Sequence, residues 1–249
     1  EVHAAGVHLN QALKQNTVLL MAGGFGTRLM PLTDDCPKPL LKVGEKPIIH
    51  TIIENFIEYG FHNFVISTHY RSDMIKDYLG NGDTLNCSIE YLQEESPLGT
   101  AGCLSLLHPN HINHPIFMMN ADILTKVNFT QLLDFHLKAK TSITMCVRNY
   151  THQIPYGVIR TKNHLIETID EKPTTVSKVN AGIYVINPET IKSLTKGENI
   201  DMPSLINAEL KKNNSSVSVF PIHEYWLDIG QIEDYQKAQV DFISNFTHE

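Results

Sequence analysis

The most constraining feature of the chain is a short apolar run, Thr17 to Met21, that empties into Ala22-Gly23-Gly24-Phe25-Gly26-Thr27-Arg28-Leu29. A run of that length ending in glycines reads as a buried strand feeding a loop. Three glycines in four positions let backbone amides approach a ligand closely and adopt positive φ. Consecutive amides of this kind form an anion-binding nest. Thr27 adds a hydroxyl, and Arg28 adds a guanidinium fork that matches phosphate oxygens. The competing reading is a tight strand-to-helix turn with no ligand. Two commoner phosphate loops are excluded. No lysine follows Gly26, as a P-loop requires, and Leu29 stands where a dinucleotide fingerprint needs its third glycine.

The rest of the chain supplies the frame for that loop. Helical patterns are expected over Pro47–Tyr59, Ser72–Leu79, Thr100–Leu107 and Thr130–Ala139. Strands are expected over Phe64–Ser67, Ile89–Leu92, Ile116–Met119 and Ser142–Val147. Alternation of this kind predicts a three-layer α/β/α fold with a mostly parallel central sheet. Beyond about residue 150 the rhythm changes. Tyr156–Arg160, His164–Asp170 and Val179–Ile186 read as antiparallel strands added to the same sheet, followed by helices near Met202–Lys211 and Ile232–Ile243. No repeat, low-complexity tract or Pro/Gly/Ser linker interrupts the chain. Residues 16–249 are therefore expected to form one domain, with 1–15 a linker or tag remnant.

Composition narrows the partners. Hydrophobic residues make up 42% of the chain, enough for a sizeable core. The net charge of −7 argues against nonspecific nucleic-acid binding, which needs basic surface. No apolar run reaches membrane-spanning length and no secretory signal opens the chain, so a cytoplasmic location is expected. Cys36, Cys87, Cys103 and Cys146 show no close pairing and read as reduced thiols. His108, His111 and His114 recur at threes, but Pro109 and Pro115 disfavour a helix, so a solvated loop is preferred over a zinc site.

Two carboxylates stand out. Asp122 follows the apolar strand Ile116–Met119, where ligands bind in open α/β sheets, and a carboxylate there suits Mg²⁺. Read alone it is as readily a helix cap. Asp228 is a second candidate, with a turn residue before Gly230 as the alternative. Lys38 is stiffened between Pro37 and Pro39, and Lys172 precedes Pro173. Isolated lysines are usually solvated surface groups.

The stretch from Leu20 to Pro47, with its glycine loop, Thr27-Arg28-Leu29, Pro31-Leu32-Thr33 and Pro37-Lys38-Pro39, resembles the signature of the sugar-phosphate nucleotidyltransferases. The resemblance runs from Thr17 to about Phe242. Ser96-Pro97-Leu98-Gly99-Thr100-Ala101-Gly102 is similar to a second nucleotide loop. Asn120-Ala121-Asp122 is similar to a metal-binding strand end. Glu171-Lys172-Pro173 and Asn180-Ala181-Gly182 are similar to sugar-phosphate and sugar-binding turns, and Trp226-Leu227-Asp228-Ile229-Gly230 to a distal aspartate motif. Ala121 departs from the pattern, since many relatives carry glycine there.

This resemblance implies a Rossmann-like nucleotidyltransferase domain that moves a nucleotidyl group from an NTP to a hexose- or amino-sugar-1-phosphate and releases pyrophosphate. It implies nucleotide contacts at Ala22, Gly23, Gly24, Gly26, Thr27, Glu94, Pro97, Gly99 and Thr100. It implies sugar contacts at Gly157, Glu171, Asn180 and Gly182, Mg²⁺ on Asp122 and Asp228, and catalytic cations at Arg28, Lys38 and Lys172. In thymidylyl- and uridylyltransferase relatives a glutamine tends to precede the Pro-x-Gly loop by three positions. Here that position is Glu94, whose carboxylate only accepts hydrogen bonds. Guanine offers adjacent donors, so GTP is favoured, with Gln93 the neighbouring alternative. Cytidylyl or uridylyl transfer, a catalytically silent nucleotide-sugar sensor and a dehydrogenase are the rival readings. Homo-oligomer formation and an upstream regulatory domain are both compatible with the sequence.

Overall fold

The computed structural model describes residues 12–212 and 216–246. In chain order the strands are β1 (Lys14–Met21), β2 (Lys42–Val43), β3 (Lys46–Pro47), β4 (Phe61–Thr68), β5 (Ser88–Gln93), β6 (Ile116–Asn120), β7 (Ile123–Thr125), β8 (Ile143–Gln153), β9 (Val158–Lys162), β10 (Leu165–Asp170), β11 (Thr174–Ile186), β12 (Val217–Pro221) and β13 (Trp226–Asp228). The helices are α1 (Ile48–Glu58), α2 (Ser72–Leu79), α3 (Gly99–Gly102), α4 (Phe129–Ala139), α5 (Pro188–Lys192), α6 (Met202–Lys212) and α7 (Ile232–Phe246). Most of the expected linker lies outside the described residues, and its last two positions, Lys14 and Gln15, already belong to β1.

The central sheet has seven strands in the order β12-β8-β11-β6-β1-β4-β5. Every neighbouring pair is parallel except the two that β11 makes. The fold is thus α/β with a mostly parallel mixed sheet. Successive residues of each central strand enter different cores, as a period-two side-chain pattern requires. Val18, Leu20, Phe117 and Met119 join the cluster containing Phe56 and Phe129 from α1 and α4. Leu19, Ile116 and Met118 join the one containing Leu104 and Leu205. Both faces are covered, which is why β1 reads as an unbroken apolar run.

Helix α1 shows how the sequence directs this packing. Ile48, Ile49, Ile52, Ile53 and Phe56 fall on one face and are all buried. Phe56 stacks on Phe129 with ring centroids 3.7 Å apart and meets Phe61, Phe64 and Phe117 edge-on. Pro47 precedes the helix as its cap rather than sitting in the first turn.

Three expectations need correction. The strands after residue 150 do not all extend the main sheet. Only β11 enters it, while β9 and β10 pair with each other in a separate hairpin. Asn163 and His164, both at positive φ, form its turn, so His164 is not strand. The hairpin stays apart because none of its side chains is buried, so no apolar face is available to dock on the sheet. The region expected as a helix over Thr100–Leu107 is one α-helical turn followed by a 3-10 segment, Cys103–Leu106. The peptide donors of Ala101 and Gly102 turn instead to the carbonyl of Ile200.

Replacing Phe56 with alanine is expected to cost about 3–5 kcal/mol, because its four aromatic neighbours cannot collapse into the space it leaves. Urea unfolding of Phe56→Ala measures this directly, and a loss under about 1 kcal/mol would refute it.

Candidate functional site

Four parallel strands end at one level. Met21 of β1 lies opposite Ser67 of β4 and Asn120 of β6, and Thr68 lies opposite Gln93 of β5. The loops leaving these ends enclose a cleft of about 330 Å³. Ala22, Gly23, Gly24, Lys38, Glu94, Pro97, Gly99, Thr100 and Asp122, all singled out in the sequence, line it. So do Phe25, His69, Cys103 and Asn120, which sequence reasoning did not assign. A larger hollow of about 760 Å³ between α1 and α7 is lined by Gly44, Glu45 and Lys46 of the signature stretch but by none of the candidate site residues.

Each wall has a local cause. Gly26 adopts φ +67, and its carbonyl accepts from Thr33 Oγ1 at 2.9 Å, closing the glycine loop on itself. A side chain at Gly26 would press on Thr33, whereas Gly24 faces open space. Buried Leu29 pins the 3-10 turn Thr27–Leu29 and leaves Thr27 and Arg28 exposed. The second loop is sewn down from a segment that carries no sequence signal. Asn199 donates to the Pro97 carbonyl, Ile200 to that of Leu98, and Met202 N to Thr100 Oγ1. Glu94 anchors the same loop, accepting from Ser67 Oγ at 2.6 Å and from Leu98 N at 3.1 Å, one donor per carboxylate oxygen.

The charged centre lies at the β1–β6 side. Asp228 ends β13, which pairs with β7 so that Asp228 stands opposite Ile123, next to Asp122. Ile229 N donates to the Asp122 carbonyl at 3.1 Å, fixing the two aspartates side by side. Lys38 Nζ forms an ion pair with Asp122 Oδ2. The other oxygen, Asp122 Oδ1, and Asp228 Oδ1 are both buried without any hydrogen-bond donor among the described residues. Arg28 is close by, since a Cβ built on Gly230 would lie 3.7 Å from Asp228 Oδ1 and 3.8 Å from Arg28 Nη1. Burial, then the Asp122 carboxylate, push the Asp228 carboxyl up to about 6, against the pull of Lys38 and Arg28. Two buried carboxylate oxygens without donors fit a hard divalent cation. Among the described residues no cluster of three or more His, Cys, Asp or Glu could hold a metal, so the two aspartates are the carboxylates offered here, in keeping with Mg²⁺, which is usually bound by one or two.

The sequence-derived sugar residues fall outside the cleft lining. β8 runs in the same direction as β6, so its extension beyond Val147, paired with β11, projects from the edge where the cleft opens. Gly157 and Glu171 are adjacent on this arm, where a Cβ on Gly157 would meet Glu171 Oε2 at 3.0 Å. Lys172 is exposed at φ +47, and its ammonium has no partner among the described residues. Asn180 and Gly182 shape a bulge. Asn180 Oδ1 accepts from Gly182 N at 2.9 Å, its amide donates to Tyr184 OH, and a Cβ on Gly182 would collide with Asn120. The three histidines form no common centre. His108 caps a short turn by accepting from Asn110 N, and His111 pairs with Glu90 at 3.2 Å. All four cysteines are free.

Glycine-lined strand ends facing a carboxylate pair define the class as an α/β fold with its site at the carboxyl ends of parallel strands. The chain belongs to the nucleotidyl transferase family, whose sequence model matches residues 17–245. It is 32% identical to a mannose-1-phosphate guanyltransferase of Debaryomyces hansenii, covering 91% of this chain and 64% of that protein. With the Aspergillus fumigatus enzyme of the same name the identity is 34%, over 87% of this chain and 61% of that protein. The chain thus spans a little under two thirds of the length of these relatives. Its fold is similar to that of a Bacillus anthracis protein assigned as a glucose-1-phosphate thymidylyltransferase (TM-score 0.73, 21% identity, covering 94% and 96% of the two chains). It is also similar to that of HddC from Yersinia pseudotuberculosis complexed with GMP-PN (TM-score 0.69, 22% identity, covering 91% and 99%).

The raised Asp228 carboxyl has a definite stability consequence. The unfolded chain loses that proton near pH 4 and the folded chain only near 6, so between those values the folded state holds more protons and stability falls as pH rises. Asp228→Asn removes the penalty. In chelated buffer its melting temperature should match wild type near pH 4 and exceed it increasingly up to about pH 7. A difference that stayed constant with pH would contradict the assignment.

Proposed function

We propose that the chain transfers a nucleotidyl group, GMP by preference, from a nucleoside triphosphate to a hexose- or amino-sugar-1-phosphate, with residues 16–249 acting as one catalytic unit. The observation that carries the reading is the pair of buried, donorless oxygens of Asp122 and Asp228 beside Lys38 and Arg28, at the mouth of a glycine-rich loop. Relatives named as mannose-1-phosphate guanyltransferases support the acceptor class and the base.

In this reading a sugar-phosphate oxygen attacks the α-phosphorus, the bond to the β-phosphate breaks, and pyrophosphate leaves. The attacking phosphate is already anionic, so no side-chain nucleophile is needed. Catalysis is positioning plus charge neutralisation. Asp122 and Asp228 would hold Mg²⁺, which when bound supplies positive charge to the phosphate oxygens. Backbone amides of Gly23 and Gly24, with Thr27 and Arg28, receive the triphosphate. Lys38, paired with Asp122 in this structure, would stabilise the departing pyrophosphate. Lys172 with Glu171 and Gly157 on the arm takes the sugar phosphate, and Asn180 and Gly182 shape the sugar side. Glu94 keeps lone pairs beyond the two donors it already accepts, since an ionised carboxylate has about four sites. Those remaining sites suit the adjacent N–H donors of guanine.

Pyrophosphate release over a matrix of four NTPs and several sugar-1-phosphates tests the reading. GTP is expected to be the preferred donor, and nucleotide binding without release from any pair would favour a sensor instead. Lys172→Ala should raise KM for the sugar phosphate about tenfold or more, the scale of one charge-assisted hydrogen bond, and change KM for the nucleotide less. Equal effects on both substrates would remove Lys172 from the acceptor site. Mn²⁺ titration followed by paramagnetic resonance should show weaker binding in Asp122→Asn and Asp228→Asn. Unchanged binding in both would refute the metal assignment.

A further inference from the structure

The cleft changes character along the sheet. Over β6 and β1 it carries Asp122 and Lys38, and over β4 and β5 it carries His69 and Glu94. A triphosphate drawn to Lys38 and Arg28 leaves its base toward the β4–β5 end. There His69 Nδ1 lies 2.9 Å from the backbone carbonyl oxygen of Glu94. A carbonyl oxygen only accepts, so Nδ1 carries the hydrogen and donates it. In the neutral ring Nε2 is then an acceptor. Nδ1 makes the only hydrogen bond of this ring among the described residues, which leaves Nε2 open.

The ring is held in place from two sides. Phe25 meets it edge-on with centroids 5.7 Å apart. Its Cβ lies so near the glycine loop that a Cβ on Gly23 would stand 3.3 Å away. That same hypothetical Cβ would be 3.6 Å from Glu94 Oε1, so His69 and the Glu94 carboxylate flank one spot beside Gly23. Acceptors border that spot: a Glu94 carboxylate with lone pairs to spare, and the ring of His69, whose Nε2 has no partner among the described residues. Guanine carries one N–H at N1 and two on its 2-amino group. A carboxylate that takes N1–H and one amino hydrogen leaves the second amino hydrogen without a partner.

We propose that His69 is a base-specificity residue, with Nε2 accepting a hydrogen bond from the guanine 2-amino group beside Glu94. The proposal rests on the reading of the chain as a guanylyl-transferring member of its family. It gives a reason for the otherwise unassigned histidine of the β4–α2 connection. It also gives the Glu94 carbonyl a role, since that carbonyl sets which imidazole nitrogen faces the base.

His69→Phe keeps a ring against Phe25 and deletes the acceptor, and His69→Leu serves the same purpose should the phenylalanine variant not fold. Inosine triphosphate is the probe, because it is GTP without the 2-amino group. The ratio of kcat/KM for GTP to that for ITP should fall about tenfold in the deletion variants, the scale of one hydrogen bond to a buried partner. His69→Gln, whose amide oxygen can accept, should keep more of the ratio. Equal losses on GTP and ITP would mean that His69 only supports the loop, and the proposal would be overturned. So would an unchanged ratio in an enzyme whose wild type prefers GTP to ITP, and that result would leave the guanylyl reading intact. A wild-type enzyme that does not take GTP would overturn both together.

Discussion

The arrangement depends on the register of four parallel strands. β5, β4, β1 and β6 are paired so that their carboxyl ends stop level, and everything chemical hangs from those ends. Ala22 N donates to the Ser67 carbonyl at 2.8 Å, and Ala121 N to that of Met21 at 3.0 Å, so the ladder continues one residue beyond the side-chain core. The glycine loop and the Asp122 turn therefore start from rigid backbone. Sites built on such ends hold their groups more closely than loops alone. A one-residue slip of β6 against β1 would exchange its two buried faces, carrying Phe117 and Met119 into the wrong core. Core packing and site geometry thus enforce the same register.

Electrostatics then sets what the rigid frame can receive. Burying Asp122 and Asp228 together is unfavourable without cations, and the fold compensates only in part. Lys38 satisfies one oxygen of Asp122, and Arg28 is near Asp228, yet one oxygen of each carboxylate has no donor. A cavity with unspent negative charge on one side and phosphate-seeking amides and cations on the other is complementary to a metal-bound polyphosphate.

Much of this was legible in the sequence where local chemistry is restrictive. Glycines at 23, 24 and 26 after an apolar run, and Asp122 just beyond the run at 116–119, also read singly as a turn and a helix cap, and gain meaning from the longer motifs that contain them. The β-α rhythm up to residue 139 also followed from periodicity and stop signals. What escaped notice lacks a local signal. The hold of Asn199, Ile200 and Met202 on the second loop is made at a separation of about a hundred residues by ordinary polar groups. His69 borders the cleft only because β4 stops where β1 does, and nothing around it in the sequence says so. The β9–β10 hairpin was assigned to the wrong sheet because strand propensity does not specify a partner, and β11 was read as starting at Val179, five residues after its actual start at Thr174.

The arm built from β9, β10 and the overhangs of β8 and β11 obeys a different rule from the cleft. Its side chains are almost all exposed, including Tyr156, Ile159, Leu165 and Ile169. Backbone pairing, not core burial, gives it its form. Gly157 and Glu171, read as sugar contacts, and Lys172 sit on this arm, with Asn180 and Gly182 in the bulge near Asn120, whereas the groups read as nucleotide contacts, apart from Gly26 and Thr27, line the cleft itself. A nucleotide would therefore meet a preformed wall, and a sugar phosphate would meet an ammonium in water, without a protein counter-ion. In the proposed reading the acceptor would be recognised by an element that the rest of the fold leaves unburied.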